Sequence, residues 1–221
     1  MEGVLKEMWR KAPVTTGLVG IMVVVYLGVI ITGGLTVPNL LRWGALYPPY
    51  VAVGQVWRLL TAGFLHLGWE HLLLNSLTLA LIGYYVEQLF GHWRLLALFL
   101  LSVLGGNLAS CAFDPTSLAV GASTGIFGLF GAFIFLGSEF RQQEGVRLMA
   151  RQFLILVGIN VAFDFLLPHV VLVAHLGGLL VGFLEAAMLG APRLGPVNLV
   201  KRGLSGAILI GLAILCYGMG R

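Results

Sequence analysis

Seven apolar runs, at residues 17–33, 71–90, 93–113, 121–137, 153–167, 170–189 and 204–218, constrain this chain more than any other feature, each being bounded by charge, proline or glycine. Crossing a bilayer takes about 17–25 mostly apolar residues. Backbone groups left unpaired in hydrocarbon are too costly for anything but helices or a closed barrel, and these runs are continuous rather than alternating. The expected fold is therefore an all-α polytopic membrane protein with seven spans. Composition agrees, with 59% hydrophobic and only 10% charged residues, against about 25% charged in soluble domains. Such a chain is neither a soluble globule nor disordered. Residues 1–16 read as a short basic cytoplasmic segment, 17–190 as the main membrane domain, and 191–221 as a cytoplasmic linker and an added C-terminal span. The first run is too long for a signal peptide and lacks a small-residue cleavage site, so it is expected to be retained.

The net charge of +4 is explained by topology and calls for no nucleic acid. With the N-terminus inside, Lys6, Arg10, Lys11, Arg94, Arg141, Arg147, Arg151, Arg193, Lys201 and Arg202 are cytoplasmic, and only Arg42, Arg58 and Arg221 lie outside. The positive-inside rule favours that orientation. Cys111 and Cys216 fit neither a disulfide framework nor a zinc site and read as free thiols. The outer segment 35–67 carries Trp43, Tyr47, Tyr50, Trp57 and Phe64, which suits a position half-immersed at the interface. No internal repeat is visible, which disfavours an inverted-repeat transporter.

Polar residues inside spans are costly, so each is a candidate for function. Ser123 opens the fourth span within Gly121-Ala122-Ser123-Thr124-Gly125, His175 lies early in the sixth, and His71 and Asn75 open the second. Singly, each has a bland reading as a helix cap or a packing residue. Depth changes the weighting. Counted from cytoplasmic ends at Gly91, Glu139 and Gly190, Asn75, Ser123 and His175 stand roughly 24, 24 and 23 Å up a hydrocarbon core of about 30 Å. A hydroxyl and an imidazole at one level are the minimum for nucleophilic catalysis. The N-terminus of the fourth span offers free N–H groups to an oxyanion, and His71 and Asn75, four residues apart on one face, add side-chain donors. Phe127, one turn past Ser123, either braces the imidazole or packs in the core. Gly121, Gly125, Gly128 and Gly131, facing Gly178 and Gly182, would let the two helices approach closely.

These residues, in this order, resemble the rhomboid intramembrane serine proteases over 57–182. Trp57-Arg58 is similar to the family's outer-loop signature, and His71-x-x-x-Asn75 to its second-helix motif. Gly121-x-Ser123 resembles its nucleophile motif, and His175-x-x-Gly178-x-x-x-Gly182 its base helix. The resemblance implies a six-helix catalytic core, 17–190, plus one added C-terminal span. It implies Ser123 as nucleophile, His175 as general base and acid, and an oxyanion hole of His71, Asn75 and the Ser123 N–H. Transmembrane segments of other proteins would be the substrates, with no cofactor and no metal. The expected setting is a prokaryotic plasma membrane, with the active site opening to the extracytoplasmic side. Thr124 stands where the family usually has glycine and Phe127 where tyrosine is frequent, which would crowd the oxyanion region and remove a hydroxyl.

The remaining polar residues divide by position. Glu185, ten residues past His175, lies about 15 Å deeper and cannot orient that ring. Asp164 stands high enough to orient His175 or line a substrate gate, but a hydrated carboxylate at the outer mouth is the favoured reading. Glu87 is expected to pair with a base or loop backbone, His66 and Arg58 to hold the outer loop, and His92 and His169 to be interfacial. The alternative to a protease is an inactive rhomboid-like protein that binds membrane clients, although such a protein would typically lack Ser123 or His175. A transporter or channel is disfavoured because no broken span carries polar residues at the midplane.

Overall fold

A computed structural model describes residues 7, 9–166 and 172–220; His169 and the predicted start of the sixth span lie outside these. Among the described residues the α-helices include α1 (Pro13–Gly33), α2 (Val37–Trp43), α3 (Pro48–Ala52), α4 (Arg58–Thr61), α5 (Trp69–Phe90), α6 (His92–Phe113), α7 (Ser123–Glu139), α8 (Glu144–Leu166), α9 (Leu172–Leu189) and α10 (Leu199–Met219). The described residues contain no strand, only an isolated bridge between Leu46 and Ala119. Among the described residues six helices, α1, α5, α6, α8, α9 and α10, are long and apolar enough to span a bilayer. The seventh span, α7, has 17 residues and is about 25 Å long, short of the hydrocarbon thickness of about 30 Å.

That shortness goes with a central position. Both faces of α7 are covered, and Ile126, Phe127, Leu129, Phe130, Ala132 and Phe133 are all buried. Helix α8 meets it through Phe153, whose ring lies 4.5 Å from Phe133 and 5.9 Å from Phe130. Helix α9 meets it backbone to backbone. A Cβ on Gly182 would stand 2.0 Å from the Gly128 carbonyl oxygen, one on Gly131 2.0 Å from that of Leu179, and one on Gly178 2.3 Å from that of Thr124. No side chain fits between the two helices at these positions, as the spacing of Gly128, Gly131, Gly178 and Gly182 predicts; Gly125 instead faces Phe99 and Val103 of α6, and Gly121 faces His71.

Three predicted boundaries need correction. Helix α8 begins at Glu144, not 153, because its first turns carry Arg147 and Arg151 and hydropathy reports only the part meant for lipid. Helices α1 and α10 likewise begin at Pro13 and Leu199, ahead of 17 and 204. The domain boundary expected after residue 16 thus falls inside α1.

The segment 35–67 is folded. Buried Arg58 donates from Nη1 to the carbonyls of Leu41 and Ala45, both at 2.8 Å, and from Nε to Gln55 Oε1 at 2.8 Å. The predicted loop-holding role of Arg58 is therefore seen directly. Asn107 Nδ2 ties α6 to this segment through the Leu59 carbonyl at 2.9 Å. Leu46 and Ala119 exchange N–H···O bonds of 3.0 Å, and Gly121 N–H donates to Ala62 O at 3.0 Å. The chain entering α7 is thus stitched to the outer segment. At the opposite end, Glu87 on α5 is fully buried and accepts from Val14 N, Thr15 N and Thr15 Oγ1 at 3.0, 2.8 and 2.6 Å. Its Oε1 also meets His92 Nδ1 at 2.5 Å, so the predicted base is present, while the backbone it holds is the first turn of α1 and not a loop.

Replacing Gly182 with Ala should lower the thermal unfolding midpoint of the purified protein, since overpacking a tight contact costs about 1–3 kcal/mol. Gly211→Ala on α10, where nothing lies within 4 Å of the added carbon, should leave the midpoint unchanged or slightly raised. Equal midpoints for the two variants would contradict the α7–α9 contact.

Candidate active site

Close approach of α7 and α9 brings the first residue of one beside an early residue of the other. Ser123 Oγ lies 2.7 Å from His175 Nε2. On the far side of the ring, His175 Nδ1 lies 2.6 Å from Asp164 Oδ2 of α8. The side chains of His175 and Asp164 are 12% and 8% exposed, so the favoured sequence reading of Asp164, a carboxylate open to water, is corrected. It faces inward onto the imidazole because α8 packs along α7. Phe127 stacks on His175 at 4.3 Å with the planes 8° apart, fixing the ring from one face.

One cavity of about 530 Å³ joins these groups to His71, Asn75 and Gly121. Its walls come from α5 (Leu74, Thr78), α7 (Phe127, Phe130) and α8 (Asn160, Asp164). Gly121 has φ +138°, a conformation that disfavours any side chain, and a Cβ there would stand 3.0 Å from His71 Cε1 and Nε2. The His71 ring therefore lies directly against the backbone that enters α7. The first turn of α7 has N–H groups without intrahelical acceptors, and its dipole is positive at Ser123. Burial pushes the His66 imidazole down to about 3, the neighbouring His71 ring adding a smaller effect. His66 is thus neutral at physiological pH, its ring 5.0 Å from that of His71.

A model of the rhomboid domain matches residues 53–192 of this chain, and YdcA of Bacillus subtilis is 32% identical over 179 residues, 79% of this chain and 87% of that protein. The chain belongs to the rhomboid family. It is also 38% identical to the rhomboid protease GluP of Bacillus subtilis over 192 residues, 86% of this chain and 37% of GluP. RHOMBOID-like protein 5 of Arabidopsis thaliana is 38% identical over 171 residues, 75% of this chain and 54% of that protein. The chain therefore spans about a third to a half of the length of these two relatives. The rhomboid-domain match runs from residue 53 to 192, so α1, α2, α3 and α10 lie outside the matched stretch.

Every site residue predicted in this rhomboid from its sequence stands at this cavity or at the helix contact behind it. Thr124, expected to crowd the oxyanion region, turns its γ-methyl toward α6 and α9. There the absent side chains of Gly106 and Gly178 make room, since Cβ atoms on them would lie 2.3 and 3.1 Å from that methyl. Sequence reasoning missed Gly106 and Asn160. The signal for Asn160 was present, because it stands four residues before Asp164 on the same helix face.

Gly121→Ala should slow the reaction of Ser123 with a fluorophosphonate by about tenfold or more, because the new methyl displaces His71 from a geometry in which errors near 1 Å are costly. The check is the labelling rate of folded, purified protein. A rate equal to that of the parent would mean that His71 has no part in stabilising the adduct.

Proposed function

We propose that this rhomboid is an intramembrane serine endopeptidase that cleaves transmembrane segments of other membrane proteins. The observation that carries the reading is the chain Ser123 Oγ, His175, Asp164, with links of 2.7 and 2.6 Å at the wall of a cavity large enough for an extended peptide segment. In the proposed reaction Ser123 Oγ attacks the scissile carbonyl while His175 Nε2 takes its proton. The oxygen that becomes negative is held by the Ser123 N–H at the start of α7, with His71 and Asn75 as further donors. His175 then returns the proton to the leaving amine, giving an acyl-enzyme on Ser123. Water, deprotonated by His175, attacks the ester carbon, and the acid product leaves as the proton returns to Oγ.

Asp164 gives the imidazole its orientation in this scheme. A carboxylate on Nδ1 keeps the proton there, leaves Nε2 free to accept, and stabilises the imidazolium once formed. Phe127 holds the ring plane. In the orientation favoured by the positive-inside rule, within a prokaryotic plasma membrane, the Ser123 end of α7 faces the extracytoplasmic side.

Ser123→Ala and His175→Ala should each abolish cleavage of a transmembrane substrate in proteoliposomes while the protein still purifies folded. Cleavage surviving in Ser123→Ala would eliminate Ser123 as the nucleophile, and a parent protein that binds transmembrane segments without cutting them would leave a binding role. Asp164→Asn should keep KM near the parent value while kcat falls by up to about 10⁴, the loss seen when a triad carboxylate is neutralised elsewhere. Asp164→Glu should recover part of the loss. A change confined to KM would make Asp164 a contact for substrate instead.

A further inference from the structure

Helix α8 turns one stripe, Val146, Ala150, Phe153 and Val157, into the bundle. Ala150 sits so near α7 that a Cβ on Gly137 would stand 2.4 Å from its own Cβ. Successive residues of a helix are about 100° apart, so this stripe fixes where the other side chains of α8 point. Arg147 and Arg151 fall about 90° and 130° round from it, on the flank opposite to Asn160, and both are exposed.

Depth places the pair at the boundary of the hydrocarbon on the bilayer face away from Ser123. Asp164 meets His175, which stands roughly 23 Å above that boundary. Arg151 and Arg147 lie about 20 and 26 Å below Asp164 along the helix, so their Cα atoms straddle the boundary. A helical side chain leans toward the N-terminus of its helix, here away from the bilayer centre. Both guanidinium groups therefore reach the layer of lipid phosphates.

Neither guanidinium has a hydrogen bond or an ion pair among the described residues. Four residues apart on one face, their Cβ atoms are about 5–6 Å from each other, and like charges at that spacing repel. The carboxylates at this end of the bundle do not relieve them. Glu7 pairs with Lys11 and Glu139 with Lys201, Glu87 is held by Thr15 and His92, and Glu144 forms no ion pair among the described residues. Beyond the pair the same flank is apolar. Leu154 and Ile155 are exposed, and at Gly158 nothing lies within 4 Å of an added carbon.

We infer that this flank of α8 binds a phospholipid with a net anionic head, its phosphate held between Arg147 and Arg151 and an acyl chain lying along Leu154, Ile155 and Gly158. The phosphate supplies the counter-charge that the chain does not, and a guanidinium fork matches phosphate oxygens with two parallel N–H···O bonds. A zwitterionic lipid carries its own cation beside the phosphate, which offsets that attraction. A soluble phosphate ester offers the same anion but leaves the apolar flank uncovered. The site is on the outside of the helix that carries Asp164; it is separate from the cavity at Ser123 and does not depend on proteolysis.

The test uses the purified full chain in detergent micelles and a phosphatidylglycerol bearing a diazirine in one acyl chain. After photolysis, adducts should map to α8 between Arg151 and Ala162. Unlabelled phosphatidylglycerol should displace the probe at a concentration at least about fivefold lower than phosphatidylcholine does, the factor expected from one arginine beside an anionic headgroup. The double variant Arg147→Gln, Arg151→Gln, which breaks no contact among the described residues, should bring the two lipids to parity. Arg42→Gln, which removes a cation from the opposite end of the bundle, should keep the preference. Equal displacement by the two lipids in the parent, a parent-like preference in the double variant, or adducts spread evenly over the lipid-facing helices would each overturn the assignment. Displacement by glycerol phosphate as effective as by the whole lipid would also overturn it, by making the pair a site for a soluble anion.

Discussion

Backbone contact between α7 and α9 is the constraint on which the rest of the molecule depends. In water, apolar side chains would drive two helices together; in lipid that force is absent, and association rests on packing and on how near the backbones can come. Gly128, Gly131, Gly178 and Gly182 remove the side chains that would hold them apart. The resulting approach seats Ser123 and His175 within one hydrogen bond. It also leaves α7 enclosed by its neighbours, so that a helix too short to span hydrocarbon by itself can stand at the centre of the bundle.

Around this contact the protein meets a single difficulty in several ways, namely polar groups kept in a medium that solvates none of them. Asp164, His175 and Ser123 satisfy one another in a line. Arg58 is spread over two carbonyls and a side-chain amide of the outer segment, while Asn107 takes a carbonyl of the same segment. Each of these groups fixes a loop or an element near the cavity. Stabilisation and positioning are therefore the same interactions here, and substitutions that spare the reacting atoms can still move them.

The spans, the level shared by Ser123, His175 and Asn75, and the glycine faces were legible because each depends only on periodicity and rise along one helix. What lies between helices was not. The height of Asp164 along its helix fits a hydrated mouth as well as an imidazole partner; the choice is made by the rotation of α8 against α7, where Phe153 packs between Phe130 and Phe133. The early start of α8 escaped because its first turns are charged, and hydropathy is blind to helix outside hydrocarbon. The place of the Thr124 γ-methyl is illegible for a related reason, since the space it occupies belongs to Gly106 and Gly178 on other helices.

Glu87 closes over the first N–H groups of α1 from a position more than seventy residues further along the chain. Those donors are orphans of any helix start, and the carboxylate that accepts from two of them belongs to the second span. The leading turn of α1 therefore has its lasting acceptor as soon as the second span is in place, with five spans still to follow. The register of the first two spans against each other is set by one carboxylate before the rest of the bundle exists.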